Sequence, residues 1–169
     1  MGDLTKNISW AEMDCKDGTP VPDQLRENAR KIANRVQTLA DVLGAEKIIL
    51  TSAYRTPLHN NFVGGVPTST HLEAKAIDFY LIKGGVVMNP QLVGHYIAKG
   101  DYDGGLGIYN NFTHLDIGAK RMWNKSDAIS DDNLSEYESG VIRKGYFTLW
   151  DWFMHYVKTI FKNLKTQVQ

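Results

Sequence analysis

Apolar residues early in the chain recur at alternating steps of three and four: Leu25, Ala29, Ile32, Val36, Leu39 and Leu43. That spacing draws one stripe along a cylinder and predicts a helix over residues 23–43. Asp23, just after Pro22, is placed to cap its start, and Gly44 to end it. KIILTS, residues 47–52, is a short apolar run suited to a buried strand, and AIDFYLI, residues 76–82, reads as another, with a turn at Gly84 and Gly85. A second helix is expected from Pro90 through Leu92, Val93 and Ile97. GGLGIYNNFTHLDIG, residues 104–118, reads as a hairpin turning at Asn110 and Asn111. In its second arm, alternation puts Phe112, His114 and Asp116 on one face and Thr113, Leu115 and Ile117 on the other. If Leu115 and Ile117 face the core, the histidine and the aspartate face a cleft together.

After Trp123 the pattern changes. Residues 124–140 are polar and mostly acidic and predict a linker or surface loop. Beyond them Leu149, Trp150, Phe153, Tyr156, Val157, Ile160, Phe161 and Leu164 form an apolar stripe, with Lys158, Lys162 and Lys165 mostly off it. The expected division is therefore a folded unit over 1–123, a linker over 124–140 and an amphipathic helix over 141–169. Such a basic, aromatic helix packs on a protein surface or lies on a membrane surface, and the first is the more common outcome.

Composition narrows the function classes. The 169 residues suffice for one domain with a real core, and 19 Lys plus Arg balance 19 Asp plus Glu. No overall field therefore draws the chain toward nucleic acid. Cys15 is the only cysteine, which rules out an internal disulfide and gives no sign of a thiolate zinc site, so any metal is expected to bind through nitrogen and oxygen. MGDLTKNISW lacks the apolar run of a signal peptide, so synthesis in the cytoplasm without a cleavable export signal is expected.

The segment STHLEAKAID sets His71 seven residues before Asp78. His71 and His114 lie in stretches of small and polar residues with carboxylates close by, whereas His59, His95 and His155 do not. A lone histidine is usually a surface or satisfied core residue. A catalytic zinc needs three protein ligands and one open position, so the joint pattern carries more weight than either residue.

SAYRTPLHNNFVGGVPTSTHLEAKAID, residues 52–78, resembles the signature of the LAS peptidases: zinc D-alanyl-D-alanine carboxypeptidases and L-alanyl-D-glutamate endopeptidases that cut peptidoglycan stem peptides. The hedgehog N-terminal domain is their signalling relative. Ser69, His71, Ala76 and Asp78 fit the family pattern S-x-H-x-x-G-x-A-x-D, and Ala74 stands where it has glycine. If that glycine needs positive φ, Ala74 carries strain. WAEMDCKDGTPVPDQLRENA, residues 10–29, and GGLGIYNNFTHLDIGAKRMW, residues 104–123, are similar to the opening and closing segments of a compact subgroup. The resemblance covers roughly residues 8–123, in several motifs in the right order.

It implies an α+β domain of the hedgehog/D,D-peptidase type, with flanking helices, a small mainly antiparallel sheet and a cleft holding one zinc ion (Zn2+). Carried over residue by residue, His71, Asp78 and His114 match the metal ligands. Arg55 matches the arginine that grips a substrate carboxylate or carbonyl, and a guanidinium fork suits that task. Ser69 either touches substrate, orients a ligand or caps a turn. Tyr109, with Tyr54 and Trp123, lines a substrate groove or simply packs.

The family's general base, Asp or Glu, falls at Asn111, which takes no proton at neutral pH. Asp116 is the replacement that strand alternation favours, with a ligand-orienting role as its alternative. Glu73 is a further candidate, although an exposed glutamate is usually just solvated. In another register Asp116 becomes the third ligand and His114 the proton carrier; two imidazoles and one carboxylate suit zinc better. The implied activity is zinc-dependent hydrolysis in peptidoglycan stem peptides at the cell wall, as in a phage lysin. The alternatives are an inactive zinc-bearing binding module and a virion or envelope structural component.

Overall fold

In the computed structural model, which describes residues 2–100 and 102–127, the apolar stripe of the first long helix lies against a twisted sheet. α1, Trp10–Met13, is one turn, and α2, Arg26–Leu43, is the long helix. β1 is Lys47–Ser52, α3 Pro57–Phe62, β2 Ala76–Lys83, β3 Val86–Val87 and α4 Pro90–Lys99. β4, Gly105–Ile108, and β5, Thr113–Asp116, form the hairpin, and β6, Arg121–Asn124, follows. Two 3-10 turns, Asp23–Leu25 and Thr70–Glu73, complete the described elements.

The architecture is α+β. Five strands run in the order β1-β2-β5-β4-β6, with β3 beside β2. The pairings are antiparallel except β4 with β6, which is parallel. Ala29, Ile32, Val36 and Leu39 of α2 are buried with Ile77, Phe79 and Leu81 of β2 and Leu115 of β5. Each large apolar side chain so buried stabilises the fold by about 1.5–3 kcal/mol. Because Ile77, Phe79 and Leu81 take the core face of β2, period-two alternation turns Asp78 to the opposite face.

Gly44 ends α2 as expected, in the left-handed region at φ 66°, and the Gly84-Gly85 turn joins β2 to β3. Asn89 caps α4 by accepting the Gln91 N–H at 2.9 Å. The cap expected of Asp23 is not there. Asp23 opens a 3-10 turn that feeds α2, and its carboxylate lies 3.3 Å from Arg26 Nε instead.

β6 was not foreseen, because it is short, mostly exposed and without alternation. It reaches its place only by crossing β4, leaving β4 between β5 and β6. It ends at Asn124, and Asp127 still exchanges hydrogen bonds with Asn110 at 2.8 and 2.9 Å. The linker beyond residue 127 and the helix expected over 141–169 lie outside the described residues.

Candidate metal centre

Strand register lays out two rows across one face of the sheet. In the first, Ser52, Asp78, His114, Gly107 and Trp123 are successive cross-strand partners. In the second, two residues along each strand, Ala76, Asp116, Gly105 and Arg121 are partners. Residues two apart on a strand share a face, so the rows lie side by side. The glycines of β4 clear room in both. A Cβ on Gly107 would come within 2.6 Å of the Trp123 indole, and one on Gly105 within 2.2 Å of Asp116 Oδ2.

His71 comes from off the sheet, on the turn Thr70–Glu73. Ser69 Oγ accepts the His71 N–H at 3.4 Å, and the His71 carbonyl accepts the Arg55 and Ala74 N–H groups, each at 3.1 Å. The turn closes with Ala74 at φ 51° and ψ 29°. Ala74 is the only non-glycine residue with positive φ among the described residues, so the strain foreseen for it is present, at about 1–2 kcal/mol.

His71, Asp78 and His114 are all buried, and each offers a ligand atom within 4.8 Å of the other two. His71 Nε2 is 3.3 Å from Asp78 Oδ2 and 3.3 Å from His114 Nδ1, which is itself 2.7 Å from Asp78 Oδ1. The outward nitrogens decide what the inward ones present. His71 Nδ1 is 2.5 Å from the Ala53 carbonyl, which can only accept, so it carries the proton. His114 Nε2 is 3.0 Å from Asp116 Oδ2.

Burial opposes ionisation of Asp116, but hydrogen bonds from His114, Arg121 and Gly118 outweigh it and hold the carboxyl well below its usual range. His114 Nε2 is therefore the donor. In their neutral forms both imidazoles aim lone pairs at each other and at the Asp78 carboxylate. Three such groups, buried together, favour a positive charge between them, in addition to the Arg55 guanidinium that lies 2.7 Å from Asp78 Oδ2. Without a metal that charge is a proton. Burial opposes it, yet hydrogen bonds to Asp116 and Asp78 raise the His114 pKa above its ordinary value. Asp78, against the same burial, is held well below its ordinary value by its contacts with His114 and His71. Two imidazole nitrogens and one carboxylate oxygen form a donor set that suits zinc.

Both oxygens of Asp116 already accept hydrogen bonds from several groups. The side chain is fully buried, and its Oδ1 accepts from Gly105 N, Gly118 N and Arg121 Nη1 at 3.1, 2.8 and 3.2 Å. Its Oδ2 accepts from His114, from Thr70 Oγ1 at 3.2 Å and from Arg121 Nη2 at 2.5 Å. With both oxygens fully engaged it orients His114, and it sits on the nitrogen of that ring turned away from Asp78. In that position His114, and not Asp116, is the residue of this strand that faces Asp78 and His71.

Glu73 is exposed and pairs with Lys75, and Asn111 is an exposed hairpin residue. Arg55 lies against the cluster: its Nη2 donates to Asp78 Oδ2 at 2.7 Å and its Nε to Ser52 Oγ at 2.8 Å. Ser69 caps the His71 turn. Tyr109 stacks on Phe112 at 4.2 Å and accepts the Trp123 Nε1–H at 2.9 Å, while Trp123 lies 5.1 Å from the His114 ring.

Arg121 and Thr70 were missed by the sequence reading. The available signal was Gly105 and Gly107, whose spacing of two marks where side chains from neighbouring strands need space.

The sequence model of a family described as Peptidase M15 matches residues 5–116, a span that contains His71, Asp78, His114 and Asp116. The chain matches none of the curated proteins.

Proposed function

The chain belongs to the M15 peptidase family of zinc-dependent metallopeptidases, with its hedgehog/D,D-peptidase-like fold, and on that premise we propose that it hydrolyses peptide bonds in peptidoglycan stem peptides. The observation that carries the reading is the buried trio whose inward atoms are all lone pairs. His71, Asp78 and His114 would hold one zinc ion. The chemistry that a bound zinc ion supplies is Lewis acidity, which polarises a scissile carbonyl and activates water.

The chain's own groups do the rest. The Ala53 carbonyl and Asp116 fix the tautomers of His71 and His114. Asp78 supplies the negative charge that a divalent cation needs. Arg55 uses two donors on Asp78 and Ser52, which leaves Nη1 without a partner among the described residues. That free edge suits a carboxylate or carbonyl of an extended stem peptide.

The test is incubation of the zinc-loaded full chain with purified muropeptides, followed by mass analysis of the products. Cleavage is expected, and the product masses identify the bond. His71→Ala should lose both zinc and turnover. A loaded chain that neither cleaves nor binds muropeptides overturns the proposal.

One observation favours a second reading, a zinc-bearing module that binds stem peptides without cutting them. The family's base position is Asn111, and Asp116 has no unoccupied oxygen. Muropeptide affinity without turnover in the same experiment selects this reading.

A further inference from the structure

We infer that Cys15, Asp17 and His59 form a second metal site for a borderline-soft divalent ion such as zinc. The thiol sulfur, a carboxylate oxygen and an imidazole nitrogen of these residues lie within 4.8 Å of one another. No residue is shared with the first centre, and the donor set differs in kind, because it brings a sulfur. Thiolate, imidazole and carboxylate together match the ligand preferences of zinc and its neighbours in the first transition row.

Thr56 organises all three residues. Its N–H donates to Cys15 Sγ at 3.4 Å, its hydroxyl donates to Asp17 Oδ2 at 2.6 Å, and the same oxygen accepts the His59 N–H at 3.1 Å. The loop that carries Cys15 and Asp17 is closed on itself. Cys15 N donates to Thr19 O and Gly18 N to Cys15 O, each at 2.9 Å, and Thr19 N donates to Asp17 Oδ1 at 2.9 Å. Hydrogen bonds to ligand atoms from surrounding groups are what orients a metal site before the ion arrives.

Burial separates this reading from a nucleophilic cysteine. Cys15 is only 3% exposed, so a peptide substrate has no path to its sulfur. Asp17 is exposed and His59 half-buried, so an ion enters from the solvent side and keeps water as its remaining ligand. A bound ion would pin the loop at 15–19 to α3. Because Thr56 follows Arg55 directly, it would also steady the segment from which Arg55 reaches Asp78.

Cobalt substitution tests this independently of the proposed peptidase activity. Cys15 is the only cysteine in the chain, so a near-ultraviolet thiolate-to-cobalt charge-transfer band can arise only at this site. The full chain, stripped of metal and saturated with Co2+, should bind two equivalents and show that band. His71→Ala should lose one equivalent and keep the band, and Cys15→Ser should lose the other and the band together. Should Cys15→Ser fail to fold, His59→Ala at its half-buried position must lose the second equivalent and weaken the band. A saturated wild-type chain without the band overturns the site, whatever the first centre does. So does a His59→Ala chain that retains both equivalents and the full band.

Discussion

His114 donates its Nε2–H to Asp116 Oδ2 at 3.0 Å, and this single bond determines which nitrogen of the ring faces Asp78. The tautomer of a would-be metal ligand is thus set by a carboxylate that Gly105, Gly118, Thr70 and Arg121 hold in place from separate segments.

Asp116→Asn should therefore act on metal affinity. Loss of such an orienting partner costs about 10–100-fold in affinity. Zinc titration against a competing chelator measures the loss, and excess zinc should restore most turnover. If saturating zinc leaves turnover abolished while affinity is unchanged, Asp116 handles a proton after all.

The pH dependence has two arms of opposite sign. Asp116 is held below the ordinary carboxylate value of 3.8, so its contribution is present above that value and is lost as pH falls toward the folded one. His114 is raised above the ordinary 6.5, so in metal-free protein its contribution is full below that value and is lost as pH climbs through the folded one. Urea unfolding of zinc-free protein across both ranges should show both losses. Zinc competes with the His114 proton, so measured affinity should rise through the same upper window and then level off.

Arg55→Lys keeps a positive charge but cannot reach Ser52 and Asp78 with one planar fork. A charge-assisted hydrogen bond contributes about 1.5–3 kcal/mol, which converts to roughly 10–100-fold in turnover on muropeptides. Zinc content should stay at the wild-type level, as atomic emission would show. Unchanged turnover would remove Arg55 from the proposed substrate grip.

Ala74→Gly sets two effects against each other. Relief of a left-handed alanine gains about 1–2 kcal/mol, whereas the lost methyl burial and the greater freedom of the unfolded chain cost about 1.5 kcal/mol together. Chemical denaturation should place this variant within about 1 kcal/mol of wild type. Ala76→Gly, equally buried but in a strand, has only the cost and should lose about 1.5 kcal/mol. Equal losses in the two variants would show that Ala74 carries no strain.

Much of this molecule is written locally. The three-four stripe of α2, the apolar runs of β1 and β2, the two-residue turn at Asn110-Asn111 and the facing of Leu115 into the core depend only on short-range periodicity and turn chemistry. The grouping of His71 with Asp78 and His114 was likewise legible, through motif resemblance and strand alternation. Ala74 could be suspected because a backbone conformation is a property of one residue and its neighbours.

What the sequence left open depends on which distant segments converge. Alternation aimed Asp116 toward the cleft side, but it gave no hint that two backbone N–H groups, a threonine and Arg121 would occupy both its oxygens. β6 had no periodic signal, since its position comes from parallel pairing with β4 after a crossing connection. Cys15, Asp17 and His59 meet only because Thr56 ties a loop to a helix 41 residues away. Side-chain periodicity is a local property of the backbone, so a sequence carries it openly. Hydrogen-bond saturation, tautomer choice and the pairing of remote ligands are properties of the folded space around each atom, and only the tertiary structure decides them.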